Sequence, residues 1–344
     1  MEIPNIISSP FRGIRWRLLF LFALAALPAM AKVKVLRQQN LNRWHIAPAN
    51  YSGITPLGSN RYAVVDDKST TDGFHIFTID IHPRNGKVLR VSSTPLLGNP
   101  NTNARADCED IIYYSPRNTL FIAQERTGIV AEYHLDGRPT GRQLSLPPYF
   151  SLDSMQHNGA FEALAYCNST CTFYLTTEQP LKGDSIHRIV VFDSTLQVCK
   201  TLNYSMDAPK FKQDTKYYAH GIAAMTVKPD GKLLVMEREL SIPPRYVGGK
   251  CRIKVYEIPL HSPSKIEGVD AKQTGAYDSP SKRLLFSFTT HLSRLNYANY
   301  EGMCLGPTLD DGRQTLIIIN DSQGGVRNGP FHLKDYLKVV ILDH

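Results

Sequence analysis

Five stretches of this chain repeat one plan, and that repetition limits the fold more than any other feature. Each has an apolar strand, a tight turn and a second apolar strand, with polar or acidic residues at the outer ends. The clearest copy runs from Glu301-Gly302 through a turn at Asp311-Gly312 to the apolar run 316–319 and Asp321. Three others share its pattern. Glu109-Asp110 leads through 115–118 to Glu125-Arg126, and Glu162-Ala163 leads through 168–170 to Glu178. His220-Gly221 leads through 229–231 to Glu237-Arg238. The weakest copy comes first, with Ser52-Gly53, a turn at 58–60 and Asp66-Asp67. A strand, a two-to-five-residue turn and a strand make a hairpin.

A third alternating strand follows each hairpin, at 74–81, 129–135, 188–192, 252–258 and 337–342. A fourth follows in four copies, at 88–94, 143–146, 198–204 and 283–288. The last copy has no fourth strand of its own. The segment 33–36, or 41–46, is placed to supply it from the N-terminal side and leave no open sheet edge. Copies beginning at 53, 109, 162, 220 and 302 are spaced a little wider than the ~40–50 residues usual for a propeller blade. The wide final gap is absorbed by loops at 240–250 and 261–281. The expectation is an all-β propeller of five four-stranded blades over 32–344. Six blades are the alternative, and a β-sandwich with accidental likeness is the competing reading.

The first 31 residues read as a leader. Arg12, Arg15 and Arg17 precede an apolar run at 18–27, too short to span a bilayer comfortably, and Ala29-Met30-Ala31 is a small-residue cleavage pattern. That predicts an exported protein, periplasmic or extracellular, without stable membrane insertion once the leader is removed. The net charge of +8 is spread without a Lys/Arg block, which speaks against nucleic acid and suits a small anionic substrate. Export permits disulfides. Cys167 and Cys171 flank one turn and are expected to bond. Cys108, Cys199, Cys251 and Cys304 pair in ways the sequence does not choose.

In a propeller the innermost strand comes first, and the hairpin returns the chain to the same face. Ser52, Glu109, Glu162, His220 and Glu301 should therefore meet Asp66/Asp67, Glu125, Glu178, Glu237 and Asp321 at one mouth of the channel. So many carboxylates repel unless something offsets them. A hard cation, Ca2+ in the first instance, is one offset, with Asp67, Glu109, Glu178 and Asp321 as its ligands. Arg126 and Arg238 are the other, each facing the acid of a neighbouring blade. The structural alternative is that the acids hold blades together by accepting backbone N–H groups. His220 stands where the other copies carry an acid and suits a general acid. Glu125, Arg126, Arg294 and Arg327 are candidates for substrate binding. Other cations on the same face are Arg105, Lys210, Lys212, Lys216, Arg245 and Lys250.

The chain lacks a G-x-S-x-G elbow, an H-E-x-x-H pair and a P-loop. Three motifs carry a resemblance. They are Asn158-Gly159-Ala160-Phe161-Glu162-Ala163-Leu164-Ala165, the stretch from Gly221-Ile222 through Asp230-Gly231 to Glu237-Arg238, and Asn299-Tyr300-Glu301-Gly302 through Asp311-Gly312-Arg313 to Asp321. With these the chain resembles the phytase-like family described as having esterase-like activity. The resemblance implies export, propeller repeats and hydrolase activity. Ala163 departs from the family's glycine, Ser52 replaces an acid, and Gln323 stands where asparagine is common.

The leading expectation is a metal-dependent hydrolase of a phosphate or carboxylic ester, monomeric, in which Glu162, Glu237 or Glu301 takes a proton from water. Arg238 sits among these catalytic candidates. A non-catalytic propeller that binds a ligand or partner at the mouth is the second reading. A lactonase-like enzyme with Ca2+ in the channel and His220 as acid/base is the third.

Overall fold

The computed structural model describes residues 33–98, 107–156, 159–211, 214–260, 280–328 and 331–343. The expected leader, Arg105 and Lys212 lie outside them. Among the described residues there is no α-helix, only short 3-10 turns.

Four-stranded antiparallel blades form in chain order. Blade one is Tyr51–Gly58, Arg61–Asp66, Gly73–Ile81 and Val88–Ser93, and blade two is Cys108–Tyr114, Thr119–Gln124, Ile129–His134 and Pro139–Gln143. Blade three is Phe161–Cys167, Thr172–Thr177, His187–Phe192 and Val198–Tyr204. Blade four is Tyr217–Val227, Lys232–Ile242, Lys250–Pro259 and Arg283–His291. Blade five has Asn299–Thr308, Gln314–Asp321 and Tyr336–Ile341, and its fourth strand is Lys34–Val35. The inner strands pack in the order one to five and back to one, so the ring closes. This is the expected five-bladed propeller.

Of the two segments suited to closing it, the first does so: Lys34 pairs with Ile341 and Val35 with Val340. The second is no strand. Leu41–Trp44 makes a 3-10 turn capped by the Asn40 side chain, and Leu41 is buried between blades five and one. The fourth strand of blade two also begins earlier than expected, at Pro139.

Apolar cores lie between neighbouring blades. Phe121 and Val130 of blade two meet Phe173 and Val190 of blade three, and Met236 and Val255 of blade four meet Ile318 and Val340 of blade five. Blades one and two, three and four, and five and one are joined in the same way. A middle strand therefore buries both faces. This explains why runs such as Leu-Ile-Ile-Ile at 316–319 are continuously apolar rather than alternating.

Each inner strand carries a β-bulge at the same level. The pairing skips Glu109 between Cys108 and Asp110, Glu162 between Phe161 and Ala163, and Glu301 between Tyr300 and Gly302. Blade one skips Ser52-Gly53 and blade four skips Ala223. A bulge re-aims the side chain it carries. Below the bulges the channel narrows to a void of about 110 Å³ lined by apolar side chains such as Ile54, Leu164, Met225 and Met303.

Small residues follow the bulges because blades approach closely there. A Cβ on Gly302 would lie 2.0 Å from the Ser52 carbonyl oxygen, and one on Gly53 would lie 2.5 Å from the Asp110 Cα.

The expected Cys167–Cys171 disulfide is not formed, and all six cysteines are free. Cys167 ends the inner strand opposite Thr172, whereas Cys171 sits in the turn at a left-handed φ of 53°. Their sulfurs turn to different partners. Cys167 Sγ lies 3.2 Å from Ser169 Oγ, and Cys171 Sγ donates to the Asn168 carbonyl.

Candidate active site

The bulge register sets which residues share the channel mouth. On the return strands, Asp66, Gln124, Thr177, Glu237 and Asn320 occupy equivalent pairing positions opposite Tyr51, Cys108, Phe161, Ile222 and Tyr300. The next residue in each case is Asp67, Glu125, Glu178, Arg238 and Asp321. Four blades thus place an acid at this level and blade four places an arginine. The bulge positions add Glu109, Glu162 and Glu301.

Arg238 is the hub. Its guanidinium, 5% exposed, pairs with Glu178 of blade three and Glu301 of blade five, and lies 3.5 Å from Glu162. It also donates to the Asn299 amide oxygen at 3.3 Å, and Asn299 donates to Glu301 at 2.7 Å. Its Nε has no partner. Burial opposes its charge, but the three glutamates outweigh that and raise its pKa well above the usual arginine value.

The acids are held high. Burial lifts Glu301 to about 8 against the pull of Arg238, helped by Asp321, Asp67 and Glu178. Burial lifts Asp321 to about 7, although Gln323 donates to it from both backbone and side chain. Glu109 and Glu162 are raised well above the ordinary value, chiefly by burial and then by neighbouring carboxylates. Burial likewise raises Asp67, which Lys68 contacts at 2.6 Å, and Glu125, which accepts from the Ala160 amide at 3.2 Å. The Ser52 hydroxyl donates to the Glu109 carbonyl at 2.6 Å.

Some expected members stand elsewhere. Blade four's inner strands run beyond the ring, so His220 pairs with Glu239, three residues before the bulge at Ala223. Glu237, on the opposite face of its strand from Arg238, points outward: it accepts from Tyr204 and Lys282, both at 2.7 Å. Arg126 pairs with Asp107 of its own blade at 2.9 Å rather than with a neighbour's acid. Arg294 is exposed in the turn Leu292–Arg294, and Arg327 is exposed in a short hairpin beside a cleft of about 490 Å³ that Asp335 also lines.

Three residues were missed by sequence reasoning. Lys68 follows Asp67 and is the second cation of the mouth. Asp110 follows Glu109 and accepts from Leu164 N at 2.7 Å, joining blades two and three. Asp335 is buried with Oδ1 unpartnered, and its pKa is lifted by burial to about 7. The Glu-Asp and Asp-Lys pairs were visible signals; nothing local pointed to Asp335.

The donors suit a hard cation, since all are carboxylate oxygens. The carboxylates stand turned onto protein partners, and among the described residues no three Asp, Glu, His or Cys gather as ligands of one ion.

A family model described as "Phytase-like: Esterase-like activity of phytase" matches residues 48–323, most of the chain and every acid above except Asp335. The chain belongs to this phytase-like family. A search of curated proteins gives no match. Solved structures give loose likenesses to this phytase-like chain. A streptogramin B lyase is 14% identical, with 91% of this chain and 99% of the other covered at a TM-score of 0.37. An endo-1,4-beta-xylanase from Bacteroides thetaiotaomicron is 12% identical, with 87% and 97% covered at 0.39. A duf4221-family member from Bacteroides vulgatus is 8% identical, with 91% and 98% covered at 0.40. These are too distant to bear on what the phytase-like chain does.

Proposed function

We propose that the protein is an exported hydrolase of a phosphate or carboxylic ester, working at the acidic mouth of the channel. The observation that carries this reading is the repeated bulge, which aims Glu109, Glu162 and Glu301 at one opening beside the return-strand acids and a single buried arginine.

The four acids expected to hold Ca2+ do not stand as ligands of one ion: Glu178 is committed to Arg238, Asp67 to Lys68 and Asp321 to Gln323. The chain's own residues supply the proton traffic. Glu301, near 8, carries a proton at neutral pH and gives it to the leaving-group oxygen as the ester bond breaks. Asp321, near 7, takes the proton of the water whose oxygen forms the new bond. Arg238 keeps Glu162, Glu178 and Glu301 in place. His220 and Glu237, on this reading, are outside the chemistry.

The test is release of nitrophenol from p-nitrophenyl phosphate and p-nitrophenyl acetate. Turnover of either ester that Glu301→Gln removes supports the reading. No turnover of either ester favours a propeller that only binds a ligand.

A further inference from the structure

Blade four is built taller than its neighbours on the side of the mouth. Its two inner strands have 11 residues each, against seven and six in blade three and ten and eight in blade five, whose first strand begins only at Asn299, just before its bulge. The pairs Tyr217–Ile242, Tyr218–Ser241, Ala219–Leu240 and His220–Glu239 extend the hairpin past the level of Arg238. Two loops leave from this extension. One, 243–249, joins the second strand to the third; the other, 292–298, leads into blade five.

The loops brace each other. Leu292 N donates to the Gly249 carbonyl at 2.9 Å, and a Cβ on Gly249 would meet Leu292 at 2.4 Å. Leu292 itself is sunk in the core between blades four and five. Tyr246 and Leu295 turn in left-handed conformations, at φ 62° and 54°, and the turns close through Gly249 N to Tyr246 O and Leu295 N to Leu292 O.

What the braced tips present is unusual. Leu295 is 76% exposed and Val247 71%, the two most exposed large hydrophobic side chains among the described residues. Exposed Arg245 and Arg294 flank them, half-buried Lys250 sits with its ammonium 4.2 Å from the Phe211 ring centroid, and neither loop contains an aspartate or glutamate. Arg294 and Lys250 lie close enough to His291 to depress its pKa, after the effect of its partial burial.

We infer that these two tips are a peripheral docking edge for an anionic lipid surface, with Val247 and Leu295 entering the headgroup layer and Arg245 and Arg294 meeting lipid phosphates. Protruding aliphatic side chains ringed by cations match the two attractions that hold amphipathic elements at a bilayer. Among the described residues no helix is long and apolar enough to cross a membrane. The loops rise on the face that carries the acids, so docking would turn the channel mouth toward the lipid. The inference stands whether or not the mouth is catalytic.

Flotation of the purified full-length protein with vesicles tests it. The protein should float with phosphatidylcholine–phosphatidylglycerol vesicles and stay behind with phosphatidylcholine alone. V247S/L295S, whose side chains are exposed, should abolish flotation without lowering the Tm. R245A/R294A should reduce the partition coefficient roughly tenfold or more, as should added salt. L89S, which removes another exposed leucine far along blade one, should float like the wild type. Wild-type protein that ignores both vesicles, or V247S/L295S that floats unchanged, overturns the inference. So does a wild-type dimer that L295S makes monomeric while vesicles remain unbound, because the tips would then serve a second copy of the chain.

Discussion

The Arg238 guanidinium is paired with the Glu301 carboxylate, linking the second strand of blade four to the bulge of blade five. The same guanidinium reaches back to Glu178 of blade three. One side chain therefore spans three blades at the channel mouth, and without it three buried glutamates face one another with no cation among them.

Arg238→Met should be among the most damaging single substitutions in the protein. Removing one partner of a buried ion pair costs about 3–5 kcal/mol, because the remaining charges are left without compensation. Urea denaturation should show the full loss above about pH 8, where Glu301 is ionised, and less of it in acid as the glutamates protonate. A midpoint unchanged above about pH 8 would contradict the hub role.

Stability should fall as pH rises. Glu301 goes from an ordinary value of 4.5 to about 8 in the folded protein, and Asp321 from 3.8 to about 7. The folded state thus binds more protons than the unfolded chain across that window. Their contribution is fully present below about pH 4 and is lost by about pH 8. Thermal denaturation should give a declining Tm across the window. A Tm that climbs with pH would refute the assigned shifts.

Gly302→Ala should destabilise through sterics alone. Its Cβ would fall 2.0 Å from the Ser52 carbonyl oxygen, which is backbone of the next blade and cannot swing aside. Overpacking of this kind costs about 1–3 kcal/mol and occasionally more. Equilibrium denaturation reads it directly, and an unchanged midpoint would mean that blades one and five are not in such close contact.

Much of the fold could be read from the sequence because its physics is local and repeated. Tight turns such as Asp311-Gly312, continuous apolar runs and a recurring acid-small pair fix hairpins, and hairpins at regular intervals fix blades. Glu162 and Glu301 were legible because each stands before a small residue at the start of an inner strand, and Glu109 because the repeat aligns it with them. Blade four was misaligned for a physical reason. Its strands extend past the ring, so Gly221 mimics the small residue that the bulge needs, while Ala223-Ala224 perform that role. The same displacement put Glu237 in the place that Arg238 occupies, and strand alternation then turned Glu237 outward to Lys282. Cys167 and Cys171 are near in sequence, but the turn's left-handed residue points their sulfurs to different partners. Asp335 lies beyond every repeated motif and becomes part of the mouth's surroundings only through tertiary folding.

The most direct test of the hydrolase account is the pH dependence of kcat for the wild type and Glu301→Gln, on whichever ester the protein turns over. The wild type should rise as Asp321 ionises near 7 and fall as Glu301 deprotonates near 8. Glu301→Gln keeps the shape and the bond to Asn299 but has no proton to give, so kcat should drop by about 10²-fold or more and the alkaline fall should disappear. A variant that keeps the wild-type kcat and the wild-type profile would show that the acidic mouth is not where the ester is cleaved.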